Sequence, residues 1–400
     1  MRRISLARLP MSKAESLDIS FPALEGGWVD ILVIAGEHSG DEHAARMMKS
    51  AMAQKDGFHV CAIGGRHLQA TGAQMLFDLI EHSAIRLGEE LKRFNEYKPI
   101  INETINWIRT YRPKMIVFVD CPEMNLRIAR YLMDKGIANK AGGDVKLLYY
   151  ISPQVLHWKA KQKLNIAKML DSLAVIFPFE VDAFEKTKLD TRFVGHPYLS
   201  SDYDLPISYD PAGPILFLPG SSKDTIERIT PILFSAFSEC LKSKSKLRAI
   251  CIYASEELKQ SLQRILKKYP DVDARIELSP KYDGIGARAV FTSSGTMSLN
   301  CALANIPGAV VNRTSPAKYM MGKMRVKVPY IGIANIILGK PIYPEYLQGE
   351  ATKERIALEI SDCIENVERI KQTRNWAAEL RELLDKPSSG GPAEWLLDYW

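Results

Sequence analysis

The chain has 400 residues, 46% of them hydrophobic and 25% charged. That length exceeds one ordinary core and predicts two domains, while the balance excludes a mainly disordered chain. The net charge of +6, from 53 basic against 47 acidic side chains, suits an anionic small molecule or lipid surface and is too dilute for a nucleic-acid partner. There is no run of eighteen apolar residues, so no spanning helix is expected. Cys61, Cys121, Cys240, Cys251, Cys301 and Cys363 are scattered and never fall in a CxxC, which predicts reduced thiols in a cytoplasmic setting, with neither a disulfide framework nor a zinc knuckle.

Residues 1–28 read as a loose extension. Arg8, Pro10 and Lys13 interrupt the apolar stretch that a signal peptide needs. The first strong strand is VDILVIA (29–35), a continuous apolar run of the kind buried in a parallel sheet. HVCAIGG (59–65) follows, then a long helical stretch to about Thr110, and then KMIVFVD (114–120). After a helix over 123–135 come KLLYYIS (146–152), DSLAVIF (171–177) and TRFVGHP (191–197). Residues 200–213, rich in Asp, Pro, Ser and Gly, form the best linker candidate. A second alternation then runs through PILFLPG (214–220), LRAICIYA (247–254), ARIELS (274–279), ARAVFTSSGT (287–296) and PGAVVNR (307–313). Strands alternating with helices predict two doubly wound α/β domains, over 29–199 and 214–380, with 381–400 as a tail.

Three strand-to-helix turns are candidate ligand sites. AGEHSGD (35–41) carries Glu37, Ser39, Gly40 and Asp41, and its glycines allow close backbone approach to a ligand. It is neither a GxGxxG nor a P-loop, and an ordinary turn with Ser39 or Asp41 as helix cap explains the same letters. LPGSSKD (218–224) places Gly220, Ser221 and Ser222 before a helix whose first turn holds Lys223. A lysine there opposes the helix dipole, and a bound phosphate removes the conflict. FTSSGTMSLN (291–300) repeats the arrangement with Ser293, Ser294, Gly295 and Thr296. Two such loops in one domain suit a nucleoside diphosphate.

Asp120 ends the strand MIVFVD, at the sheet edge where ligands bind in open α/β folds. It is either a general base or a helix cap before Pro122. All seven histidines lie at or before His196, and His38 and His43, five apart, do not share a helix face. No metal site is expected. The absence of a GxSxG elbow disfavours an α/β serine hydrolase.

Taken together, AGEHSGDEHAA, IGGRHLQATGAQML, FVDCPEMNLRIARYLMDKGI, YYISPQVLHW, FPFEVDAF, FVGHPYL, LPGSS, SSGTMSLNCALANIP and the long block 312–352 resemble the lipid-A-disaccharide synthase family. The resemblance covers roughly residues 30–380. It implies a GT-B fold of two Rossmann-like domains facing a central cleft, and an inverting glycosyltransferase. The implied reaction joins UDP-2,3-diacylglucosamine to 2,3-diacylglucosamine 1-phosphate, forms the lipid A disaccharide and releases UDP, with no metal and no cofactor. Asp120 matches the family's candidate base, and Asn335, Glu345 and Gln348 match positions near the nucleotide sugar. Lys223 joins Asp120 as a catalytic candidate, because departing UDP carries negative charge that the protein must stabilise.

The resemblance has departures. The family's GSR is Gly220-Ser221-Ser222 here, and lysine at 223 does not reproduce a bidentate guanidinium contact. Asn300 replaces a common glutamate, Leu156-His157-Trp158 replaces WAW, and AIRLGEEL (84–91) replaces an MG-containing segment. A related glycosyltransferase on another sugar, or a non-catalytic nucleotide- or lipid-binding paralogue, therefore stays open. Acylated substrates further imply a peripheral protein on the cytoplasmic face of the inner membrane, and a homodimer is a further expectation. Leu76, Phe77, Leu79, Ile80, Ile85, Leu87 and Leu91, interleaved with Arg86, Lys92, Arg93 and Lys98, suit an interfacial segment, although the same spacing also suits a core-facing helix.

Overall fold

The computed structural model describes residues 19–86, 93–152, 160–280, 284–293, 296–314 and 330–400. It divides into two compact units. The first comprises residues 1–175, 184–192 and 392–400, and the second comprises 176–183 and 193–391.

The first unit is built on a seven-stranded sheet: β1 (Ile31–Ala35), β2 (Val60–Gly64), β3 (Gln74–Asp78), β4 (Met115–Val119), β5 (Lys146–Tyr150), β6 (Ser172–Val175) and β7 (Asp190–Phe193). Their spatial order is β3-β2-β1-β4-β5-β6-β7. β1 lies parallel to β2 on one side and to β4 on the other. Every residue of β1, β2 and β4 is buried, as continuous apolar strands flanked by helices require. Chain order reverses direction between β1 and β4, so the loops leaving their carboxyl ends border the switch point where doubly wound sheets bind ligands.

In the second unit β9 (Ile215–Leu218), β10 (Ala249–Ile252), β11 (Ile276–Ser279), β13 (Ala289–Thr292), β14 (Gly308–Asn312) and β15 (Glu345–Leu347) form a sheet in the order β11-β10-β9-β13-β14-β15. Alternate side chains of β9 enter two cores. Ile215 and Phe217 pack with Phe234, Phe237 and Ile360, whereas Leu216 and Leu218 pack with Leu299, Leu380 and Leu384. The switch point falls between β9 and β13, each of which ends in a candidate phosphate loop.

Several expectations are corrected. The stretch from 66 to 110 is not one long helix, since QMLFD forms β3 at the sheet edge. Its strand of five residues hides within apolar spacing that also fits a helix. The linker candidate 200–213 contains β8 (Ile207–Tyr209), which pairs in parallel with β12 (Ile285–Ala287). The segment 381–400 is divided: Leu384 lies in the second unit's core, and Trp395 donates from Nε1 to Ser172 Oγ in the first unit at 2.8 Å. Of the supposed interfacial residues, Leu76 and Leu79 are buried, at 4% and 0% exposure, and belong to the core. Phe77 is half-buried against Phe21 and His82, and Ile80 is half-buried. The side chains of Ile85, Arg86, Leu87, Leu91, Lys92 and Arg93 lie outside the described residues, and Lys98 is exposed. Among the described residues, no helix is long and apolar enough to cross a membrane.

Candidate functional site

In the first unit the site forms where β1 and β4 end side by side. Asp120 and Cys121 both take positive φ, 48° and 45°, which side chains with a Cβ seldom adopt. The surroundings hold this turn in place. The Tyr149 hydroxyl donates to the Asp120 carbonyl at 2.5 Å, Asn125 Nδ2 donates to the same oxygen at 2.7 Å, and the Asp120 N–H donates to the Tyr150 carbonyl at 3.1 Å. Gly36 is required by close approach: a Cβ there would stand 2.3 Å from Cys121 Sγ. So many fixed backbone partners hold the half-buried Asp120 in this strained conformation at the strand end.

The electrostatics suit a proton acceptor. Burial is the main cause that pushes the Asp120 carboxyl up to about 6, the charges of Glu37 and Glu123 push in the same direction, and the Cys121 N–H opposes them. A carboxylate with that acidity is ionised at neutral pH and basic enough to take a hydroxyl proton. Cys121 is buried, and its thiol is pushed up to about 12 by that burial, so it is inert beside the carboxylate.

The other residues of AGEHSGD take different places. The helix begins at His38, and neither Ser39 nor Asp41 caps it; Glu37 is the N-cap residue and makes no side-chain cap bond. Glu37 and Ser39 are exposed, and a Cβ on buried Gly40 would lie 3.8 Å from Asp120 Cβ. Asp41 is buried, and its carboxylate is committed to backbone. Oδ1 accepts from Gly65 N–H at 2.8 Å and Leu68 N–H at 3.2 Å, and Oδ2 accepts from His67 N–H at 3.0 Å. Those bonds explain the paired glycines after β2, since a Cβ on Gly64 or Gly65 would come within 3.0 or 2.9 Å of the carboxylate. Asp41 therefore positions the loop after β2.

In the second unit Gly220 has φ 111°, and a Cβ there would stand 2.9 Å from Ser293 Oγ and 3.0 Å from Thr225 Cγ2. The Ser293 N–H donates to the Leu218 carbonyl at 2.9 Å. These contacts bring the two candidate phosphate loops together. Ser222 Oγ accepts from Thr225 N–H at 3.3 Å and caps the helix Lys223–Leu241, while Ser221 and Lys223 are exposed. Thr296 opens the helix Thr296–Leu303, and Ser294 and Gly295 lie outside the described residues. Asn300, on that helix, is 2% exposed, and its Oδ1 has no partner among the described residues.

Asn335 and Glu345 turn out to be tied to each other. Asn335 Nδ2 donates to Glu345 Oε1 at 2.9 Å and to the Tyr343 carbonyl at 2.6 Å, and its Oδ1 accepts from Tyr343 N–H at 3.0 Å. Glu345 also accepts from the N–H groups of Ile331 and Gly332, both at 2.9 Å, just before the helix Ile333–Leu338. Gln348, at φ 52°, bonds Thr314 on the segment after β14. Sequence reading gave no sign of the Asn335–Glu345 tie, because β15 was not legible as a strand. No cluster able to hold a metal occurs among the described residues.

Two parallel doubly wound sheets, each with its loops gathered at a switch point, define the fold class of GT-B glycosyltransferases and nucleotide-sugar epimerases. The structure is similar to UDP-GlcNAc 2-epimerase from Neisseria meningitidis bound to UDP-GlcNAc, with TM-score 0.56, 7% identity and coverage of 92% of this chain and 98% of that one. It is also similar to a spinosyn rhamnosyltransferase complexed with thymidine diphosphate, with TM-score 0.51, 13% identity and coverage of 92% and 99%. The family model for lipid-A-disaccharide synthetase matches residues 31–390. The chain therefore belongs to that family and is a hexosyltransferase. The lipid-A-disaccharide synthase of Geobacter metallireducens is 32% identical over 374 residues, 91% of this chain and 94% of that protein. That of Nitrosococcus oceani is 31% identical over 349 residues, covering 85% and 88%.

Proposed function

We propose that this chain transfers a 2,3-diacylglucosamine unit from its UDP derivative to 2,3-diacylglucosamine 1-phosphate, releasing UDP and forming the β-1′,6-linked disaccharide of lipid A. The observation that carries the reading, beside family membership, is the half-buried, strained Asp120 whose carboxyl is pushed up to about 6. The acceptor hydroxyl attacks the anomeric carbon, the bond from that carbon to the UDP oxygen breaks, and Asp120 takes the hydroxyl proton. Glu37, Ser39 and Gly40 line the acceptor side. In the second unit Gly220, Ser221 and Ser222, with Ser294, Gly295 and Thr296, bind the diphosphate, and exposed Lys223 adds a positive charge as UDP leaves. Asn300, Asn335, Glu345 and Gln348 form the donor side, the Asn335–Glu345 tie shaping the loop it holds. Acyl-chain substrates place the protein at the cytoplasmic face of the inner membrane. The test is UDP release from UDP-2,3-diacylglucosamine in the presence and absence of the monosaccharide acceptor. Acceptor-dependent release is expected, and none above background from bound donor overturns the reading.

A further inference from the structure

On the reaction proposed above, on which this inference rests, the acceptor carries a phosphomonoester as well as the attacking hydroxyl. Three basic side chains at the carboxyl edge of the first sheet have no part in the chemistry so far. His38 opens the helix that follows β1, and Arg66 and His67 open the short helix Arg66–Gln69 that follows β2. The rings of His38 and His67 lie 5.4 Å apart, tilted by 42°. Asp41 sets this meeting of two helix starts, since its carboxylate on the Gly65, His67 and Leu68 amides fixes the second against the helix that carries His38. His38 and Arg66 are exposed, while His67 Nε2 is shielded from solvent with no partner among the described residues. A buried nitrogen without a partner destabilises a fold and calls for an explanation outside packing. His43, one turn further along the first helix, is a different case: burial holds it down to about 4, so it stays neutral in the core.

We propose that His38, Arg66 and His67 form the subsite for the acceptor's phosphate. The first turn of the helix that carries His38 also carries Gly40, where a Cβ would lie 3.8 Å from Asp120 Cβ. The phosphate and the attacking hydroxyl of one sugar are thereby held by neighbouring residues of one sheet edge. Imidazole and guanidinium N–H groups give charge-assisted bonds to phosphate oxygens. The subsite makes the enzyme choose a phosphorylated acceptor over the same sugar with a free anomeric hydroxyl.

Equilibrium binding tests this without requiring turnover. Affinities for 2,3-diacylglucosamine 1-phosphate and for 2,3-diacylglucosamine are measured by calorimetry in mixed micelles, for the unaltered protein and for His38→Gln, His67→Gln and His59→Gln. The unaltered protein is expected to prefer the phosphorylated sugar by about tenfold or more, and each of the first two variants to cut that preference by about three- to tenfold, the net worth of one hydrogen bond. His59, at the opposite end of β2, is the control and should leave the preference in place. An unchanged preference in both His38→Gln and His67→Gln, or none in the unaltered protein, overturns the subsite. If His67→Gln fails to fold, the exposed His38 decides the matter alone. Acceptor-dependent UDP release with an unmoved preference removes the subsite and leaves the reaction standing. A histidine-dependent preference without UDP release does the reverse.

Discussion

The charge of Glu37 acts on the carboxyl of Asp120, two residues that lie far apart in sequence and meet where β1 and β4 end. Burial raises the Asp120 pKa most, and Glu37 adds to it. A general base works in its ionised form, so the acidic limb of kcat/KM should fall away below about pH 6. Glu37→Gln removes a negative neighbour and should move that limb to lower pH. A pH–rate profile that does not move, or moves upward, excludes the coupling.

Asp120→Asn should lower kcat by about 10²- to 10⁴-fold and leave UDP affinity nearly unchanged, because the loops proposed for the diphosphate belong to the other unit. The same change should stabilise the protein at neutral pH. A carboxyl raised from 3.8 to about 6 in the folded state costs stability once it ionises. That cost is absent below the unfolded value and complete above about pH 6, and it amounts to at most about 3 kcal/mol. Urea titration at pH 5 and pH 8 should show the variant gaining more at pH 8. A loss of kcat under about fivefold would remove Asp120 from the role of base.

Lys223 is exposed at the start of a capped helix, where the diphosphate is proposed to bind. Lys223→Ala should weaken UDP binding, and the deficit should shrink as salt is added. Without a ligand role, an exposed lysine should change stability and activity by less than about 0.5 kcal/mol. Calorimetric titration with UDP at two ionic strengths separates the two cases, and equal affinity ends the assignment.

Gly36→Ala puts a methyl group 2.3 Å from Cys121 Sγ, where something must move. Overpacking of this kind costs about 1–3 kcal/mol. Since Cys121 adjoins Asp120, turnover should fall more than UDP affinity does. Cys121→Gly in the same chain opens the space and should restore part of the stability. Stability that stays lost in the double variant shows that the contact does not account for the damage.

Asp41→Asn should weaken the loop after β2 by about 1–3 kcal/mol, because an amide nitrogen replaces one of the two acceptors that three backbone amides share. Hydrogen exchange at Gly65, His67 and Leu68 should accelerate while the amides of β4 stay protected. Unchanged protection at all three would show the clamp to be dispensable.

How far sequence served is visible in these residues. VDILVIA, MIVFVD and PILFLPG announced their strands because buried parallel strands are continuous apolar runs. The position of Asp120 was legible because it directly follows such a strand. β3 and β15 were not legible, since short edge strands of mixed polarity carry no periodic signal. The backbone partners of Asp41 were not legible for a related reason. Its partners are backbone amides more than twenty residues away, and local spacing points only to the helix it sits on. The Asn335–Glu345 tie needed β15 in place before it could be seen.

The passage of residues 392–400 back to the first unit sets an order of events during synthesis. Ser172 leaves the ribosome 223 residues before Trp395, the side chain that bonds it. At about 5–20 residues per second, that is a wait of roughly ten to forty-five seconds. During that interval the second unit receives its whole chain, through residue 391, while the first still lacks its closing helix and the surface of His38–Gln54 that this helix covers stays bare. The unit that is begun first is therefore finished last, and a chaperone has its longest opportunity on the sheet that carries Asp120.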